Sequence, residues 1–261
     1  MHRSTINPRR SLVALVAAVL VVAAACVPQY PGPTPPTPDG DGFKRMSTSR
    51  EILNSSGYSF AIEYAPESDL RMTLLRQKLD PLLNNAATQL NVHTGLPFPG
   101  VTSLWHGTFG DAAPTGKITV TIVTGAEMAA IGCPGANVVG CGGVSTASGK
   151  RVLSGHIAIL DQHIIDASDL ALSTTVLHEL GHALNLAHYN GRYDNRNGGT
   201  EYQTMCCDAG TGHYHAATGD YRAGDKNGLK YMAAGSLEAK AGARSSASTE
   251  GEIEIVDDVM P

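Results

Sequence analysis

Residues 178–188 read His178-Glu179-Leu-Gly-His182-Ala-Leu-Asn185-Leu-Ala-His188. An α-helix turns about 100° per residue, so positions four apart differ by about 40° and one turn of rise. His178 and His182 therefore leave one face of a helix, close enough to hold a single ion. Glu179 lies one step round, beside the pair, where a carboxylate acts as a general base. A straight helix would carry His188 to the opposite side. It joins the pair only if the helix stops between Leu184 and His188 and the chain turns sharply. Asn185 occupies that turn, and Asn tolerates the required positive φ better than most residues. Three imidazoles leave a fourth tetrahedral position open to water, as in catalytic rather than closed structural zinc sites. With ten His and ten Glu in the chain, chance yields His-Glu-x-x-His with a probability of roughly 0.015, and roughly 0.0006 with His six residues further on.

Working outward, a helix is expected over Asp169 to Ala187, with its stop inside the last residues. Before it, His156 to Asp161 reads as a short strand. Lys117-Ile-Thr-Val-Thr-Ile-Val123 is the clearest strand, with Ile118, Val120 and Ile122 on one face and Thr119 and Thr121 on the other. Tyr58 to Tyr64 alternates with period two, as a half-buried strand does. From Ser68 the pattern turns helical through Leu70, Leu74, Leu75, Leu79, Leu82, Leu83, Ala86 and Leu90. Pro81 either kinks this helix or opens a second one capped by Asp80. Downstream, Asn190 to Gly212 reads as loop and Asp225 to Ala234 as a last helix. His93, His106, His156 and His163 lack ligand-like spacing and are read as structural. His213-Tyr-His215 lines a pocket wall, binds a second metal, or is solvated loop.

The pattern His-Glu-x-x-His-x-x-(Gly/Asn)-x-x-His resembles the zinc signature of the metzincin metalloproteases at every defined position, with Asn185 in place of the commoner Gly. Tyr202-Gln-Thr-Met205-Cys-Cys, with Met205 17 residues beyond His188, resembles the Met-turn, whose Met forms an apolar floor beneath the ligands. Asp225 to Tyr231 resembles the closing helix of matrixin-type members. The resemblance implies an α+β fold: a twisted mixed sheet with an edge strand that aligns substrate, a long helix, a zinc-carrying active-site helix and a small C-terminal subdomain. It places the edge strand within about Val152 to Leu160, where it would take a peptide by β-augmentation. It implies Zn²⁺ on His178, His182 and His188, Glu179 as the catalytic base, and Asn185 and Met205 as supports. Calcium is left open, with no residue pattern that derives it. Cys207 stands where astacin-like members carry a Tyr, and no Pro-Arg-Cys-Gly inhibitory segment precedes the domain.

The chain's 261 residues carry a net charge of −5. Met1 to Arg10 holds Arg3, Arg9 and Arg10 without an acid, and the apolar run Ser11 to Ala25 follows. That run is short for a bilayer span and suits the core of a signal peptide. Arg9-Arg10-Ser-Leu-Val resembles a twin-arginine signal, and Ala-Ala-Ala-Cys26 resembles a lipoprotein cleavage box. Without the leader 16 basic residues face 24 acids, a charge of −8, which offers nucleic acid and anionic lipid no basic footprint. The expected organisation is a signal peptide over 1–25, a Pro-rich linker over 26–45 with Cys26 as lipid site, a catalytic domain over 46–235 and an acidic disordered tail over 236–261. The protein is expected outside the cytoplasm, as a monomer, touching a membrane only through such a lipid.

Export permits disulfides. Either Cys133 and Cys141 close a local loop, or both are stitched to Cys206 and Cys207. The stitched form is preferred because it braces the Met-turn and leaves no free thiol. The functional expectation is an endopeptidase acting on protein or peptide. Two alternatives stand beside it: a gluzincin-type peptidase using Glu201 as third ligand, and a surface-tethered zinc-containing binding module without activity.

Overall fold

The structure is a computed structural model, and it describes residues 42–66, 68–133, 138–189, 192–194, 200–206 and 219–242. The signal segment, Cys26, Cys207, His213 and His215 lie outside the described residues, as does the tail from residue 243. In chain order the elements are β1 (Lys44–Arg45), β2 (Ser59–Glu63), α1 (Leu70–Thr94), β3 (Val101–Trp105), β4 (Lys117–Val123), α2 (Gly125–Ala130), β5 (Gly140–Ser148), β6 (Arg151–Leu160), α3 (Asp161–Asp166), α4 (Asp169–Ala183), β7 (Leu186–Ala187), β8 (Arg192–Asp194), β9 (Thr200–Tyr202) and α5 (Ala223–Gly242).

Five strands form one mixed sheet in the order β3-β2-β4-β6-β5. β2, β3, β4 and β6 run parallel and β5 antiparallel to β6. The central strand β4 buries Thr119 and Thr121 as well as its four apolar residues. Its alternation therefore separates two covered faces, as parallel sheets require. α1 begins at Asp69, whose side chain accepts from the Met72 amide, and ends at Gly95 with φ 69°. It is one continuous helix with Pro81 inside it, so no second helix starts there. Leu75, Leu79, Leu83, Ala86 and Leu90 face the core, whereas Leu70 and Leu74 are exposed. α1 packs against both α4 and α5.

Several expectations are corrected. β6 extends from Arg151 and lies inside the sheet between β4 and β5, so Val152 to Leu160 is not an edge; the edge strands are β3 and β5. The stretch after Asn190 contains the antiparallel hairpin β8–β9 rather than loop alone. Packed structure continues on either side of residues 46–235. Phe43, assigned to the linker, is in the core, and β1 pairs with β7. At the other end α5 runs to Gly242, and Ser236 is fully buried, its hydroxyl donating to the Leu53 carbonyl. Cys133 is bonded to Cys141, closing the local loop ahead of β5, which overturns the stitched pairing. Cys206 is disulfide-bonded as well.

Candidate metal centre

α4 is opened by Ser168, whose hydroxyl accepts from the Ala171 amide, and it carries His178, Glu179 and His182 in its last two turns. Helical spacing stops at Ala183. Asn185 then takes φ 72°, the one positive φ outside glycine among the described residues. β7 follows at once and delivers His188 back to the helix end. The turn expected at Asn185 is thus present.

The three Nε2 atoms form a near-equilateral triangle: 3.0 Å from His178 to His188, 3.1 Å from His182 to His178, and 3.1 Å from His182 to His188. Tetrahedral bonds of about 2.0–2.1 Å to one zinc ion would set such nitrogens about 3.3 Å apart. Their tautomers follow from what lies behind them. His178 Nδ1 donates to the Thr204 carbonyl at 2.8 Å, and His182 Nδ1 to the Leu186 carbonyl at 2.8 Å. A neutral imidazole has one N–H, so both Nε2 atoms present lone pairs to each other with no proton between them. Burial opposes filling the gap with protons: it pushes His188 down to about 3, and lowers His178 and, further still, His182. The donor set fits a metal cation, which neutral imidazoles bind and whose charge the converging lone pairs offset. The three histidines can hold a metal ion.

Glu179 is 3% exposed. Burial pushes its carboxyl up to about 8, and among the described residues no donor or positive charge compensates it. It fits only because β5 is glycine-rich. A Cβ on Gly140 would stand 2.7 Å from Glu179 Oε1, and one on Gly142 would overlap the Glu179 carbonyl. Gly142→Ala is therefore expected to prise β5 from α4 and cost about 1–3 kcal/mol, read as a lower melting temperature. An unchanged melt would mean the two elements are not this close.

Met205 is buried against α4, where a Cβ on Gly181 would overlap its thioether. Sequence reading missed what holds this loop. The Asp225 carboxylate accepts from the Thr204 amide at 2.6 Å, the Met205 amide at 3.1 Å and the Arg222 amide at 3.0 Å. Gln203 Oε1 accepts from Gly224 N at 2.6 Å. Asp225 thereby fixes the carbonyl that orients His178, and burial raises its own carboxyl to about 6. An Asp in the first turn of a predicted helix was the available signal, but its partners are distant in sequence. Glu201 lies on β9 opposite Tyr193, on a strand and not on a second helix.

The stability of the metal-free chain depends on pH through its buried titratable groups. Folding depresses the histidines, His156 to about 4 and His188 to about 3, with His178 and His182 lowered too. Between pH 4.5 and 6.5 the unfolded chain binds those protons and the folded chain does not, so this stability is present above 6.5 and lost as pH falls. Glu179 and Asp225 act oppositely, because their raised folded values favour the fold at low pH. The histidines outnumber them in that window. Melting temperature in a chelator is expected to rise from pH 4.5 to 6.5 and then to decline toward 8 as Glu179 ionises. A melt that is flat across this range would contradict the burial of these groups.

No protein-family model and no curated sequence matches the chain. Among solved structures it is similar to "Structure of Myroilysin", at 19% identity over 64% of this chain and 54% of that one, with a TM-score of 0.27. It is also similar to "Crystal structure of myroilysin", at 17% identity over 62% of this chain and 61% of that one, TM-score 0.24. The matched region spans less than two thirds of either of those chains.

Proposed function

We propose that this chain is a zinc-dependent endopeptidase of the metzincin type. The observation that carries the reading is the meeting of three Nε2 atoms within 3.1 Å of one another, with the buried carboxyl of Glu179 next in sequence to His178. His178, His182 and His188 would hold the ion. A zinc ion bound there supplies positive charge that acidifies water and polarises a carbonyl. Glu179 takes the proton from the attacking water and passes it to the leaving amine. Its neighbouring cation would restore the ionised form that burial disfavours. β5 borders Glu179 and has one free edge, which supports its accepting an extended peptide by main-chain pairing. Met205 serves as the Met-turn floor. The substrate is protein or peptide, met outside the cytoplasm by a monomer. Any membrane attachment would run through a lipid on Cys26.

The test is a casein or gelatin digest by zinc-loaded protein with and without chelator. Cleavage is expected, abolished by the chelator and restored by added zinc. Stoichiometric zinc with no cleavage of any protein would leave the binding module standing instead.

A further inference from the structure

The side chain of Asn185 does more than permit a positive φ. Its Oδ1 accepts from the Ser47 amide at 3.0 Å, and its Nδ2 donates to the carbonyls of Ser47, at 2.9 Å, and Arg50. Its own carbonyl accepts from the Met46 amide at 3.0 Å. Glycine, the alternative residue for such a turn, would supply only the last of these. One residue earlier β1 pairs with β7, setting Arg45 opposite Leu186 and Lys44 opposite Ala187. Leu186 is the residue whose carbonyl orients His182, and His188 follows two positions later. The segment is seated at its other end on α5. Glycines one turn apart leave room for it: a Cβ on Gly228 would come within 3.0 Å of the Phe43 ring, and one on Gly224 would overlap the Gly42 carbonyl. Tyr231 closes the seat, with its ring 5.6 Å from that of Phe43 and the Arg45 guanidinium 5.2 Å above it.

We propose that residues 43–50 are a strap that positions His182 and His188 through Leu186 and Asn185, so that cation affinity depends on the N-terminal segment being seated. Asn185 is in this sense a positioning residue. The proposal rests on the three-histidine reading above. It makes the seating of the segment on α5 a point at which zinc affinity is set far along the sequence from any ligand.

The test is zinc affinity by chelator competition in the full chain, with the metal-free melting temperature and far-UV circular dichroism measured alongside. Asn185→Gly keeps the turn and deletes the clamp, and is expected to weaken zinc binding about tenfold or more, as loss of ligand-orienting partners does. Phe43→Ala unseats the strap about 140 residues away in sequence from the ligands it supports, and is expected to weaken binding similarly. The double variant should be no weaker than Asn185→Gly alone, because both act through one path. A folded Asn185→Gly chain with the parent's affinity overturns the strap, as do losses that add in full. Should Phe43→Ala not fold, Asn185→Gly decides alone. A parent chain that binds no zinc sinks the three-histidine reading and this proposal with it, whereas tight parental binding with unchanged variants sinks the strap only.

Discussion

Glu179→Gln is expected to lower kcat for peptide hydrolysis by roughly 10²–10⁴-fold, the usual worth of a positioned general base, while leaving zinc content at one per chain. Gln has the shape of Glu, and the site demands that shape: the side chain is 3% exposed, with Gly140 close against its carboxyl group. An amide can hydrogen-bond water but cannot take a proton from it at neutral pH, so the chemical step is lost and the packing is not. The substitution also removes a buried group that burial pushes up to about 8. The metal-free variant should therefore escape the decline in melting temperature expected between pH 6.5 and 8. Kinetics on a fluorogenic peptide, metal analysis and melts on one preparation separate these effects. Activity within a few-fold of the parent would mean that another group moves the proton.

The parts of the site legible in the sequence were those whose physics is local. Helical periodicity put His178 and His182 on one face, and the need for a turn singled out Asn185, which adopts φ 72°. The alternation of Lys117 to Val123 marked β4 with its bounds intact. What escaped was written in tertiary contacts. β5 opens Gly-Cys-Gly-Gly, with no β-branched or aromatic residue to signal a strand, because α4 lies too close for side chains there. The stretch expected to be an edge, Val152 to Leu160, consequently lies one strand in from it. Phe43 follows a Pro- and Gly-rich run that favours polyproline II, and only the glycine pair on α5 makes a seat for it. Cys133 and Cys141 close one local loop, and spacing alone does not choose that pairing over the stitched one. Asp225 looked like one more acid on a closing helix, yet it binds two amides of the Met205 loop.

His188→Ala is expected to cost more zinc affinity than the roughly 10–100-fold typical of outer partners, and Glu201→Ala none beyond measurement error. Removing the His188 ring opens one corner of the Nε2 triangle and leaves His178 and His182, 3.1 Å apart, as a two-ligand site. Among the described residues the three rings are the one cluster able to hold an ion. Glu201 sits in a β-hairpin paired with Tyr193, whereas a gluzincin-type ligand would have to be presented from a helix. Zinc competition titrations of the two variants against the parent decide between the ligand sets. The fold should survive His188→Ala in the metal-free state and even gain acid stability, because His188, held down to about 3, is one of the groups that must charge when the chain unfolds below pH 6.5. A variant that loses zinc while its metal-free melt at pH 5 stays level or rises has lost a ligand and not a structural support. The reverse pattern, with zinc lost in Glu201→Ala and kept in His188→Ala, would assign the third ligand to Glu201 and remove the metzincin reading of this chain.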